Sequence, residues 1–268
     1  MTMTSDQDHV EAGQLPPGPR RPIALVTGVG RTVGIGAGVV TRLAASGWDI
    51  AFTYWTDYDK RMSWGVEAGA VDAMQRSLTG HGAATAAIEA DLVDAGSPAR
   101  IFDEAERRLG NVTALVMCHG ESVDSGLLDT TVESFDRHFA VNARATWLLI
   151  REYGLRFRGA PGTGRIISLT SDHTVGNLPY GASKAALDRI TLAAAHELAH
   201  LALTANVINP GPVDTGWMSD EIKQAVLRQT PLDRLGTPDD TANLVEFLCS
   251  ANGGWINGQL LKSNGGLA

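Results

Sequence analysis

The chain has 268 residues, 44% of them hydrophobic and 19% charged, an ordinary composition for a soluble globular protein and a length for one large α/β domain or two small ones. Its 22 basic and 30 acidic residues give a formal charge of −8, which argues against a nucleic-acid or anionic-membrane partner. No apolar run reaches membrane-spanning length, and Cys118 and Cys249 stand at no zinc or redox spacing, so both are expected as buried free thiols in a reducing, cytoplasmic compartment.

Residues 1–22 carry acids, Gly and Pro without the apolar core of a signal peptide, and are expected as a mobile tail ahead of a single domain over 23–268. Strands are predicted at 23–27, 49–54, 84–89, 114–118, 165–169, 205–208 and 260–263. Helices are predicted at 36–46, 66–79, 98–109, 132–157, 180–201 and 239–250. Short strands apolar on both sides, alternating with amphipathic helices, imply a parallel sheet covered on both faces. Right-handed crossovers then give a doubly wound, Rossmann-like α/β fold. No internal repeat or linker interrupts this order.

The first strand runs directly into Gly28-Val29-Gly30-Arg31-Thr32-Val33-Gly34-Ile35-Gly36-Ala37-Gly38, and a helical pattern follows. Glycines there let the backbone approach a pyrophosphate, while the helix N-terminus offers amide donors and the positive end of its dipole. A glycine loop placed between the first strand and first helix of a βαβ unit is a far stronger signal than the loop alone. Arg31 is placed to pair with an additional phosphate.

Further along stands Tyr180-Gly181-Ala182-Ser183-Lys184. On a helix the phenol and the ammonium share one face, one turn apart. A cation beside a phenol favours the phenolate, which is a simple way to build a general acid/base for a carbinol proton.

With these two elements, the chain resembles the short-chain dehydrogenase/reductase family. Asp91-Leu92-Val93-Asp94 looks like its adenine-side acidic motif. Val141-Asn142-Ala143-Arg144-Ala145 is similar to its mid-helix Asn motif. The stretch from Asn206 through Pro210-Gly211-Pro212-Val213-Asp214-Thr215 resembles the segment at the nicotinamide end. Pro231 to Gly236 with Pro238, then Gly258-Gln259 and Gly265-Gly266, resemble its C-terminal signature.

The resemblance implies a seven-stranded sheet and a catalytic tetrad of Asn142, Ser171, Tyr180 and Lys184. Tyr180 is expected as proton donor to the nascent alkoxide, Ser171 as hydrogen-bond partner of the substrate oxygen, and Asn142 as holder of a water next to Lys184. Lys184 is expected to grip the nicotinamide ribose and lower the Tyr180 pKa. The implied cofactor-binding residues are Gly28, Gly30, Arg31, Gly34, Ile35, Tyr54, Asp91, Leu92, His119, Gly120, Tyr180, Lys184, Pro210, Gly211, Val213 and Thr215. The implied reaction is hydride transfer between NADP(H) and a carbonyl or secondary alcohol, similar to 3-oxoacyl-thioester reductases and tailoring ketoreductases. A homotetramer or homodimer through 132–157 and 180–201 is also implied.

Four departures from the family pattern stand out. Five residues separate Gly28 from Gly34, a spacing that resembles the divergent enoyl-reductase branch, yet the Tyr position of that branch is Asn177 here. The family's Asn-Asn-Ala-Gly reads Met117-Cys118-His119-Gly120, so His119 either faces the site or packs locally. Ser171 lies only nine residues before Tyr180, leaving Ser168 and Thr170 as runners-up and Asp172 and His173 as candidate pocket residues. Strand two ends Phe52-Thr53-Tyr54-Trp55-Thr56 with no acid at its tip, which with Arg31 favours NADP(H) over NAD(H), although Asp57 is nearby.

Other readings remain beside this one. A nucleotide-sensing or scaffolding protein of the same fold is the alternative from another class, and an extended-branch epimerase would need a larger C-terminal domain. His196-Glu197-Leu198-Ala199-His200 matches the His-Glu-x-x-His zinc pattern. It sits on a long packing helix with no third ligand at a recognised spacing and is read as surface or interface. Trp217 and Met218 fall where the family has a mobile lid.

Overall fold

The computed structural model describes residues 21–267. Seven strands form one parallel sheet: β1 (Ile23–Thr27), β2 (Asp49–Tyr54), β3 (Thr85–Glu89), β4 (Ala114–Met117), β5 (Arg165–Leu169), β6 (Thr204–Asn209) and β7 (Leu260–Lys262), in the order β3-β2-β1-β4-β5-β6-β7. Every residue of β1, β4, β5 and β6 is buried, as expected for strands with helices on both faces. Alternate residues feed two cores. Val26, Phe52, Val116 and Ile167 pack on one face with Val40, Leu43 and Leu248. Leu25, Leu115 and Ile166 pack on the other with Phe102, Leu149 and Tyr153. Strand order reverses between β1 and β4, and such a reversal opens a crevice at the carboxyl ends of the strands.

The helices are α1 (Ile35–Ala45), α2 (Thr56–Arg61), α3 (Ala70–Gly80), α4 (Ser97–Arg108), α5 (Val132–His138), α6 (Ala145–Arg156), α7 (Leu178–Glu197), α8 (Asp220–Leu227) and α9 (Pro238–Cys249). The helix predicted over 132–157 is split, because Phe139–Arg144 winds as a π-helix between α5 and α6. α7 begins two residues before Tyr180, with Pro179 in its first turn, where a missing N–H costs nothing. It ends at Glu197 and is followed by a 3₁₀ turn at Ala199–Leu201, so His196 and His200 do not share a continuous helical face.

Two helices were absent from the sequence reading. α2 has no apolar period, and its one buried residue is Asp59. α8 is marked by Ser219, whose side chain accepts from the Ile222 amide, and by Asp220 and Glu221 in its first turn. The expected N-terminal tail falls on residues 1–20, outside the described residues, except for Arg21 and Pro22. Arg21 is anchored, donating to the Ala44 and Trp48 carbonyls at 2.6 and 3.0 Å.

Candidate functional site

The glycine loop leaves β1 at Gly28, whose φ of +77° and close approach to His119 both exclude a side chain: a Cβ would come within 2.7 Å of the His119 backbone. A Cβ on Gly36 would lie 2.6 Å from the Gly28 carbonyl oxygen, so α1 packs directly on the loop. The N-terminal turn of α1 therefore faces the crevice with its donors and dipole. A cavity of about 250 Å³ opens there. Gly28, Gly30, Arg31, Gly34, Ile35, Tyr54, Asp91, Leu92, His119, Gly120 and Thr215 line it, eleven of the residues expected at the cofactor. Asp91 is fixed by accepting from the Val93 amide at 2.9 Å. These glycines, the helix N-terminus and the acidic turn after β3 fit an elongated phosphate-bearing ligand such as a dinucleotide.

Pro210, Gly211 and Val213 lie at the end of β6 and do not line this cavity. Gly211 is needed where it stands, because it has a φ of +64° and a Cβ there would meet Asn264 at 2.4 Å. Thr215 is joined to the glycine loop through its carbonyl, which accepts from Arg31 at 2.8 Å. The Arg31 guanidinium also lies over the Trp64 ring, 4.5 Å from its centroid.

Asn142, Ser171, Tyr180 and Lys184 do not line this cavity, but Asn142 and Lys184 reach its wall at Gly120, where a Cβ would lie 3.7 Å from the Asn142 oxygen and 3.8 Å from the Lys184 ammonium. Lys184, buried on α7, extends its ammonium 5.8 Å from the Tyr180 ring centroid and donates to the carbonyls of Leu169 (2.9 Å) and His119 (3.2 Å). His119 lines the cavity, so this second bond ties Lys184 to the cavity floor. Ser171 stands just beyond β5, beside the Tyr180 phenol, and opposes the rise in its pKa. The runners-up are occupied elsewhere: Ser168 is bonded to Thr191 at 2.7 Å, and the Thr170 hydroxyl turns toward Lys184 O and Asp188.

The electrostatics depart from the sequence expectation. Lys184 does not lower Tyr180. Burial pushes the phenol up to about 12, and the opposing influence is Ser171. Burial also pushes the Lys184 ammonium down, to about 8. Asn142 is bonded through its side chain to the loop after β4 and to α7. Its amide donates to the Glu121 carbonyl (2.9 Å) and the Ser183 hydroxyl (2.8 Å), and its oxygen accepts from the Glu121 amide (2.8 Å). Its own carbonyl accepts from Thr146 at 2.8 Å.

His119 packs locally. Its Nε2–H donates to the Val141 carbonyl (3.1 Å), which leaves Nδ1 to accept from the Thr27 hydroxyl (2.6 Å). Burial pushes its pKa down to about 3, so it stays neutral.

Several residues of the crevice escaped the sequence reading: Trp55, Tyr58, Asp59, Trp64, Cys118, Glu121 and Arg137. Most belong to the stretch that includes α2, which carries no motif. Glu121 is buried and takes both guanidinium nitrogens of Arg61 at 2.9 Å, with Arg137 at 3.4 Å. Asp57 is exposed and paired with Lys60, whereas the buried acid nearby is Asp59, held by the Trp64 indole at 2.9 Å. His173 and Trp217 meet edge to face with centroids 6.2 Å apart. Both cysteines are free, Cys249 buried and Cys118 half-buried. Among the described residues no helix is long and apolar enough to cross a membrane.

Comparison with known proteins agrees with this geometry. A family model described as Enoyl-(Acyl carrier protein) reductase matches residues 28–268. An uncharacterized oxidoreductase of Bacillus subtilis (strain 168) is 35% identical, over 91% of this chain and 96% of its own. A chloroplastic NADPH-dependent aldehyde reductase-like protein of Arabidopsis thaliana is 31% identical, over 91% and 93%. The crystal structure of a short chain dehydrogenase from Burkholderia cenocepacia in complex with NADP superposes with a TM-score of 0.82 at 30% identity, covering 92% of this chain and 97% of that one. The chain therefore belongs to the NAD(P)-dependent short-chain dehydrogenase/reductase family of oxidoreductases, in its classical branch.

Proposed function

We propose that this protein is an NADP(H)-dependent reductase of a small carbonyl substrate, with Tyr180 as general acid. The observation that carries the reading is the placing of Ser171 and Lys184 beside Tyr180, with Lys184 bonded to the floor of the glycine-loop cavity. The bound nicotinamide would supply the hydride. Tyr180, protonated at neutral pH, holds the proton that the new alkoxide needs, and Ser171 orients the carbonyl oxygen. Lys184 supplies a buried positive charge beside both. Gly28, Gly30, Gly34, Ile35, Asp91, Leu92 and Gly120 would hold the dinucleotide, with Pro210, Gly211, Val213 and Thr215 at its nicotinamide end.

Support for NADP(H) over NAD(H) comes from the absence of an acid at the tip of β2 and from the cofactors named for the Arabidopsis and Burkholderia relatives. Carbonyl rather than enoyl reduction is favoured because Asn177, at the enoyl branch's tyrosine position, is buried and donates to Ser122 and Asp124.

The test is calorimetric titration with NADPH and with NADH, followed by a carbonyl screen. NADPH is expected to bind the more tightly, and Tyr180→Phe to abolish turnover with cofactor affinity nearly unchanged. A Tyr180→Phe variant retaining more than a few per cent of the rate would remove Tyr180 from the role of acid. Binding of neither nucleotide would favour a scaffolding role for the fold.

A further inference from the structure

The stretch that connects β2 to α3 crosses the crevice. It leaves the sheet beside β1 and is bonded at α2 to the segment that follows β4, on the other side of β1. Arg61 is doubly bonded to Glu121 at 2.9 Å, and the Tyr58 hydroxyl donates to the Ser122 carbonyl at 3.3 Å. These contacts pass over the carboxyl end of β1, where the glycine loop lies. The stretch is fastened a second time to the loop itself: the Thr32 amide and hydroxyl both donate to Glu67, at 2.9 and 2.6 Å. Between the two fastenings Arg31 lies over the Trp64 ring, and the Trp64 indole holds Asp59. The Asp59 carboxylate reaches 3.1 Å from where a Gly30 Cβ would stand.

Two physical consequences follow. The Thr32 amide and hydroxyl, on the glycine loop, are taken by Glu67 rather than left to a ligand. In addition, the buried Asp59 carboxylate sits against the loop whose amides would bind phosphates, and like charges repel.

We propose that residues 55–67 form a strap that must lift for a dinucleotide to enter, with Arg61–Glu121 and Glu67–Thr32 as its two latches. This rests on the dinucleotide reading given above. The bistable element is small and its latches are surface-accessible, because Arg61 and Glu67 are both exposed. Lifting carries Asp59 away from the loop and frees the Thr32 donors. The stretch also carries its own reporters, Trp55 and Trp64.

The experiment is stopped-flow binding of NADPH, followed by tryptophan fluorescence, to the intact chain and to Arg61→Met and Glu67→Gln. If the competent form is a minor population, weakening either latch raises the apparent association rate by about three- to tenfold and leaves dissociation within about twofold. An association rate that is unchanged in both variants, with the wild type binding normally, overturns the strap and leaves the dinucleotide reading standing. Binding by the variants but not by the wild type supports the strap. If neither the wild type nor either variant binds NADPH or NADH, the strap and the reading fall together.

Discussion

Lys184 shows how a buried charge can be both strained and useful. Its ammonium has lost water and gained two carbonyl acceptors, and burial holds it at about 8, with smaller opposing contributions from Cys118 and Asp188. Tyr180, pushed up to about 12, stays protonated across the working range. A limb near neutrality in the pH profile of carbonyl reduction would therefore belong to the lysine. The sign is fixed by the charge: the ammonium is needed, it is present below about 8, and kcat/KM falls as pH rises through that value. Asp188 lies four residues along α7 and its carboxylate favours the charged lysine. Asp188→Asn is thus expected to move the limb to lower pH without changing the low-pH plateau. A limb that stays in place in this variant would assign it to another group.

The π segment between α5 and α6 shows what one extra residue in a helical turn accomplishes. It delivers the Val141 carbonyl to His119 and the Asn142 side chain to the loop after β4, so a single local irregularity braces both the cavity floor and the residue next to Lys184. Asn142→Ala would leave the Glu121 amide and carbonyl unpaired in a dry interior and remove the bond that the Ser183 hydroxyl accepts, a loss of about 2–4 kcal/mol. Thermal denaturation of the variant should show a midpoint lower by roughly 5–15 °C. A midpoint within about 2 °C of wild type would mean that these bonds contribute little.

None of this was legible in the sequence, because the apolar rhythm of 132–157 continues through the π turn and i→i+5 winding is decided by tertiary partners. The strands and the glycine loop were legible for the opposite reason: short two-sided apolar runs and closely spaced glycines are local signals. α2 was missed because Thr56–Arg61 has no apolar face and its partner Glu121 is sixty residues away. The placement of Ser171, Tyr180 and Lys184 followed from one motif and one strand end. The actual partners of Asn142 and His119 required the fold.

At the scale of the whole molecule, the sheet buries its apolar residues well, yet the helices on one side remain apolar outside. Trp147 and Leu155 on α6 are 51% and 58% exposed, Val132 at the start of α5 is 71% exposed, and Leu128 just before it is 98% exposed. Val132, Trp147 and Leu155 belong to the stretch, 132–157, expected from the sequence at an interface, and Leu128 lies just ahead of it. Surfaces of this kind are covered in stable assemblies, where specific interfaces bury about 1,200–2,000 Å². Light scattering of the purified protein is therefore expected to give two or four times the 28.4 kDa of one chain. Trp147→Glu places a charge in the middle of the proposed contact, where desolvating an unpaired carboxylate is costly, and should weaken association by at least about tenfold. Because Trp147 is half exposed, the fold itself tolerates the change, and a circular dichroism spectrum identical to wild type would separate dissociation from unfolding. A wild-type mass of 28.4 kDa at micromolar concentration would remove the assembly and leave α6 as a face awaiting some other cover.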